Sequence, residues 1–140
     1  MVLDTSVLVS ALLNSHGAPG RVLDLLLAGE VVAAYDDRIL NEWRDVLGQE
    51  KFEFFSGDVK TLLDFFEDEG LGFTAAPIGV ELRDPGDVPF LEVAHTAGAT
   101  LVTGNLKHYP PEVRQGVEVM LPAAFLGRWT AKTQGGNEDG

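Results

Sequence analysis

Met1-Val2-Leu3 is an apolar run too short for a helix, and it stops at Asp4. From there Val7, Leu8, Ala11 and Leu12 fall at helical spacing, so the chain passes from strand to helix at the acid. This change of period constrains the fold more than any other feature, because it recurs along the chain. Val31-Val32-Ala33-Ala34-Tyr35 predicts a second strand, with Asp36-Asp37 opening a helix that carries Ile39, Leu40, Trp43, Val46 and Leu47. Leu71 to Ile78 carries a weaker strand signal, Thr100-Leu101-Val102-Thr103 a clear one, and Val117 to Leu121 a last short one. Between them, Val22 to Leu27 predicts a helix closed by Gly29, and Val59, Leu62, Leu63, Phe65 and Phe66 a helix from Asp58 to Gly70. Phe90, Leu91, Val93, Ala94 and Ala97 mark a further helix. Strands alternating with helices predict a single-domain α/β/α sandwich around a central, mainly parallel sheet. That domain is expected over residues 1–129, with the polar, Gly-rich segment 130–140 a disordered tail.

At 140 residues the chain is long enough to bury one core. It has no Cys, so disulfides, thiolate nucleophiles and zinc–thiolate sites are excluded. No apolar run reaches the ~18 residues of a membrane span, and the N-terminus lacks the basic flank of a signal peptide. The expectation is a cytoplasmic protein without membrane association. A net charge of −12 opposes non-specific nucleic-acid binding, which needs Lys and Arg to displace counterions. The same charge suits a chain that gathers carboxylates around a cation, or one that meets a basic partner.

Parallel strands place their carboxyl ends on one edge of the sheet, where ligands bind in open α/β folds. Asp4 ends the first strand; Glu42 lies near the start of the helix after the second. Asp84 and Asp87 flank Pro85-Gly86 before the helix at Phe90, and Thr103-Gly104-Asn105 ends the 100–102 strand. Each acid taken singly reads as a cap or a solvated residue, Asp4 as a turn residue followed by Thr5 and Ser6 hydroxyls able to cap the helix. Together they converge. Carboxylates brought together repel, and a hard divalent cation with oxygen ligands, Mg²⁺ or Mn²⁺, removes the repulsion. Such an ion lowers the pKa of bound water and holds phosphate oxygens for in-line attack.

Leu3 to Leu12, Asn41-Glu42-Trp43, Arg83 to Ala94 and Thr100 to Asn105 resemble, in order and spacing, the PIN-domain nucleases. Within that family they are most similar to toxin components of bacterial toxin–antitoxin pairs. The similarity runs from about Met1 to Phe125. It implies a Mg²⁺- or Mn²⁺-dependent endoribonuclease, with Asp4, Glu42 and Asp87 as catalytic, metal-binding acids and Asp84 as an additional metal ligand. It also implies an RNA substrate, an antitoxin protein and a homodimer. Ser6, Thr103, Asn105, Lys107 and His108 fall around this set as substrate-contacting or supporting residues. Two positions depart from the pattern. Ser6 stands where many relatives carry Asn, and Asn105 stands where the family carries Asp, keeping an oxygen but losing a charge. Asn105 keeps open an alternative, a catalytically weakened PIN-fold module that binds RNA or protein. A metal-dependent phosphatase is disfavoured, because the Asp-x-Asp pattern of that chemistry is absent at Asp4-Thr5-Ser6.

Other residues carry blander readings. Lys107 and His108 serve equally as a solvated loop, and Arg83 as a neutraliser of Asp84. His16 and His95 have no partner at metal-ligand spacing, and no phosphate-binding glycine motif is present. The Phe52-Phe54-Phe55 and Phe65-Phe66 groups read as core or as a surface for a partner.

Overall fold

The computed structural model describes the backbone of residues 1–138 and the side chains of residues 1–133. Strand β1 (Val2–Leu3) leads into α1 (Thr5–Leu13), α2 (Ala18–Leu27), β2 (Ala34–Tyr35), α3 (Asp37–Leu47) and α4 (Ser56–Glu69). Then come β3 (Leu71–Gly72), α5 (Val88–Ala97), β4 (Leu101–Val102), β5 (Val119–Met120) and α6 (Pro122–Glu138). All pairings are parallel: β1 with β4, β4 with β5, and β2 with β3. Two bonds join the pair to the trio, from the Ala34 amide to Met1 O (2.8 Å) and from the Met1 amine to Val32 O (2.9 Å). The strand order is therefore β3-β2-β1-β4-β5, with every carboxyl end on one edge.

The expected α/β/α architecture is found. The strands are shorter than their apolar runs. Val31 and Val32 stay outside the ladder, with Val32 43% exposed. The 71–78 run leaves the sheet after the Phe73 amide bonds Tyr35 O at 2.8 Å. Pro77 has no N–H to offer a ladder, and its neighbours turn to side chains instead: the Ala76 amide to Thr96 Oγ1 and the Ile78 amide to Glu92 Oε2. The segment expected as a tail, 130–140, is helical up to Glu138 as the continuation of α6, and residues 139–140 lie outside the described residues.

One core runs through the domain. Val2, Leu3, Leu101 and Val102 are exposed by 1% or less, as are Leu8, Ile39, Trp43, Phe66, Leu91 and Tyr109. α5 crosses β1, β2 and β4, and Phe90 through Ala94 are all buried, so this helix has no solvent face along that turn. It ends at Gly98, whose φ of 62° is the left-handed conformation that glycine adopts without strain. α3 begins as its sequence requires, the Asp36 carboxylate accepting the Ile39 amide at 3.0 Å.

Buried inside α5 is an acid, Glu92, which needs a partner to be tolerated there. Arg38 on α3 supplies one: its guanidinium meets Glu92 Oε1 and Asp36 Oδ2, each at 2.8 Å. The other Glu92 oxygen takes the Ile78 amide at 3.0 Å. One arginine thus ties α3 to α5, and Glu92 ties both to the loop that leads to Asp84.

Candidate active site

Asp4 extends β1 by one residue, its amide bonding Val102 O at 2.9 Å, and its carbonyl receives the first amides of α1. Its side chain is 5% exposed and does not cap α1. Instead Oδ2 accepts two hydroxyls, from Thr103 (2.7 Å) and Tyr109 (3.2 Å), while Oδ1 has no protein donor among the described residues. The capping role expected for Thr5 and Ser6 is also replaced. The Thr5 hydroxyl donates to Glu42 Oε2, and Ser6 Oγ accepts the Gly104 amide at 3.3 Å. A side chain at position 104 would put its Cβ 3.2 Å from Ser6 Oγ, so glycine suits the close pass of the two loops. Both hydroxyls are claimed by distant elements, and those long-range bonds outcompete local capping.

Glu42 projects from α3, half-buried, toward the turn that holds Asp84: a Cβ on Gly86 would lie 3.7 Å from Glu42 Oε1 and 3.2 Å from Asp84 Oδ1. Asp84 caps that turn, Pro85–Asp87, its Oδ1 accepting the Gly86 amide at 2.9 Å. Asp87 is 8% exposed, and its Oδ2 is buried without a hydrogen-bond donor. His108 Nδ1 stands 3.1 Å from that oxygen without making a hydrogen bond to it.

The electrostatics record the crowding. Burial chiefly, then the charges of Asp4 and Asp84, raise the Asp87 carboxyl from 3.8 to about 6; nearby His108 opposes the shift and Glu42 adds to it. Glu42 is raised by burial and by Asp4 and Asp84, against the Thr5 hydroxyl, which favours the charged form. No Lys or Arg pairs with Asp4, Glu42, Asp84 or Asp87 among the described residues.

Of the residues expected at the site, Asp4, Glu42, Asp84, Asp87, Thr103 and His108 come together. Asn105 does not turn toward the acids: its Oδ1 caps the short turn Leu106–His108 by accepting the Lys107 amide at 3.1 Å. Lys107 is exposed on the same loop. Sequence reasoning missed Tyr109, a buried residue of the 104–109 loop, and the Thr5–Glu42 bond; neither carries a local signal, since each depends on a contact across the fold.

Among the described residues, no group of three or more His, Asp or Glu side chains is arranged so as to hold a metal ion. The donor set nonetheless fits a hard cation. Asp87 has a buried, donorless oxygen, Asp4 keeps one oxygen free of protein donors, and the Glu42 and Asp87 carboxyls are pushed toward protonation, chiefly by burial and further by the neighbouring acids. An apolar groove of about 480 Å³, lined by Leu27, Phe54, Phe55 and Phe65 among others, lies away from these acids.

Carboxylates without a Lys or Arg partner at the carboxyl edge of a parallel α/β sheet stand where open α/β folds bind their ligands. The sequence pattern of the PIN domain matches residues 1–107, and the chain belongs to the PIN domain family. It is also similar to the uncharacterized protein MJ1680 of Methanocaldococcus jannaschii, 28% identical over 112 residues that cover 75% of this chain and 70% of that protein. PIN domains are typically metal-dependent nucleases. No helix among the described residues is long and apolar enough to cross a membrane.

Proposed function

We propose that this protein is a Mg²⁺- or Mn²⁺-dependent endoribonuclease, the toxin of a cytoplasmic toxin–antitoxin pair. The observation that carries the reading is the meeting of Asp4, Glu42, Asp84 and Asp87 without a Lys or Arg counter-charge, Asp87 Oδ2 being buried and donorless. In this reading Asp4, Glu42 and Asp87 hold the cation and Asp84 assists from its loop. A cation held by these residues would lower the pKa of bound water, supplying hydroxide near neutral pH, and would offset negative charge on a phosphodiester. The chain's own residues prepare the place. The Thr103 hydroxyl orients Asp4, the Thr5 hydroxyl orients Glu42, and Lys107, on the exposed stretch 104–108, offers a positive charge for RNA phosphate. His108 Nδ1 stands 3.1 Å from Asp87 Oδ2, beside the acids.

The test is incubation of purified protein with structured and single-stranded RNA in Mn²⁺, Mg²⁺ or EDTA. Cleavage should need the metal; equal cleavage in EDTA, or none with either metal, overturns the reading. One observation favours a second reading, a weakened RNA- or protein-binding module: Asn105 replaces an acid and spends its oxygen on its own loop. RNA retained on a filter with Mn²⁺ but left uncut would select it.

The antitoxin and a homodimer belong to the same proposal. The groove beside Phe54, together with Phe55 (71% exposed), Leu13 (60%) and Leu27 (48%), offers apolar surface, and the −12 charge favours a basic segment. A strictly monomeric protein that brings down no small partner from its native cell would remove this part.

A further inference from the structure

We propose that the Tyr109 hydroxyl is a positioning group that aims Asp4: by bonding Oδ2 it turns Oδ1 toward the acidic edge and ties the 104–109 loop to that carboxylate. The inference rests on reading the acids as a cation site. Tyr109 is fully buried, yet among the described residues its hydroxyl reaches one partner only, Asp4 Oδ2, at 3.2 Å across 105 residues of sequence. A buried hydroxyl needs a partner, and a buried carboxylate oxygen needs donors, so each satisfies the other. Thr103 fills the second position on the same oxygen at 2.7 Å. Two donors on one oxygen select a single carboxylate rotamer, which leaves Oδ1 as the only oxygen of Asp4 free to ligate.

The backbone of Tyr109 is held as firmly as its ring. Its amide bonds Leu106 O at 3.1 Å, and its carbonyl accepts Arg114 Nε at 2.7 Å. The loop that carries Lys107 and His108 therefore cannot shift without disturbing Asp4. Carboxylate ligands held by such outer partners lose metal affinity when the partner is removed, by about 10-fold to 100-fold.

The experiment compares wild type and Tyr109→Phe by titration calorimetry with Mn²⁺ alone, and by RNA cleavage at limiting and saturating Mn²⁺. Phenylalanine fills the same buried space, and Thr103 still serves Asp4 Oδ2, so melting in EDTA should change little. Mn²⁺ should bind about tenfold more weakly, and cleavage lost at limiting Mn²⁺ should return at saturation, a rescue that a purely structural defect would not show. Mn²⁺ affinity within twofold of wild type overturns the role of Tyr109 and leaves the nuclease reading standing. No Mn²⁺ binding by wild type overturns both. If the variant does not fold, proton NMR of wild type decides: the Tyr109 hydroxyl signal should shift on Mg²⁺ addition, and an unmoved signal overturns the proposal.

Discussion

Helices α3 and α5 carry two pairs of acids that meet opposite fates. Asp36 and Glu92 are buried, and both close on the Arg38 guanidinium at 2.8 Å. Glu42 and Asp87, on the same helices or at their entry, face Asp4 and Asp84, and the one side chain of a basic residue in contact with them among the described residues is the His108 imidazole, 3.1 Å from Asp87 Oδ2. In the first pair the chain supplies its own counter-charge, and the acids serve as a clasp. In the second it withholds one, so repulsion is stored where an external cation would relieve it. What separates the two pairs is the cationic partner, present beside Asp36 and Glu92 and, as Lys or Arg, absent beside Glu42 and Asp87 among the described residues.

The sharpest way to break this contrast is Asp4→Asn. The amide keeps an oxygen for the Thr103 and Tyr109 hydroxyls but removes one of the converging charges. RNA cleavage should fall on the order of 100-fold or more, while stability in EDTA should hold or rise slightly as repulsion on Glu42 and Asp87 is relieved. For wild type, Mn²⁺ at ten times its Kd should stabilise by about 1.4 kcal/mol, about 3–6 °C in Tm for a domain of this size. The variant should lose most of that gain. Wild-type cleavage by the variant, or an equal thermal shift, would make Asp4 a mere turn residue.

Arg38→Ala breaks the other half. It strands two buried carboxylates, but Arg38 is 46% exposed and water screens part of the loss, so about 1–3 kcal/mol is expected from urea unfolding. An unchanged midpoint would show that the clasp contributes nothing.

The third prediction reads the stored repulsion through pH. The folded-state carboxyl of Asp87, at about 6, lies above its ordinary 3.8, and Glu42 is raised too. The folded state therefore binds protons more tightly, so this contribution is full below about 4 and is lost as pH rises to about 6. Metal-free Tm should decline across that window, and Asp87→Asn should decline less. Parallel curves for the two proteins would count against the assignment. The smallest effect is expected from Asn105→Asp, since this side chain caps its own loop. Cleavage should rise severalfold, with metal-free Tm slightly lower; lower activity would show that the amide itself is needed.

Much of the fold was legible because its signals are local. The periodicity of Val7 to Leu12, Ile39 to Leu47 and Phe90 to Ala97 marked three helices, and Asp36 capped the one it preceded. Acids at strand ends pointed to one edge because parallel strands share their direction. The strand lengths were not legible: an apolar run such as Val31 to Tyr35 reports burial, whereas a ladder needs a neighbour at matching register, and only Ala34 and Tyr35 have one on β3.

The sequence by itself determined which residues could be strand, helix or strand-end acid, since each follows from side-chain spacing and local capping chemistry. Only the tertiary structure decided which acids are paired and which are not. Asp36, Glu92, Asp4 and Asp87 are all buried acids; what separates them is whether Arg38, 54 residues from Glu92, arrives, or whether Thr103 and Tyr109, 99 and 105 residues from Asp4, bring neutral hydroxyls instead. Those meetings are set by strand order and helix packing, and no window of neighbouring residues encodes them.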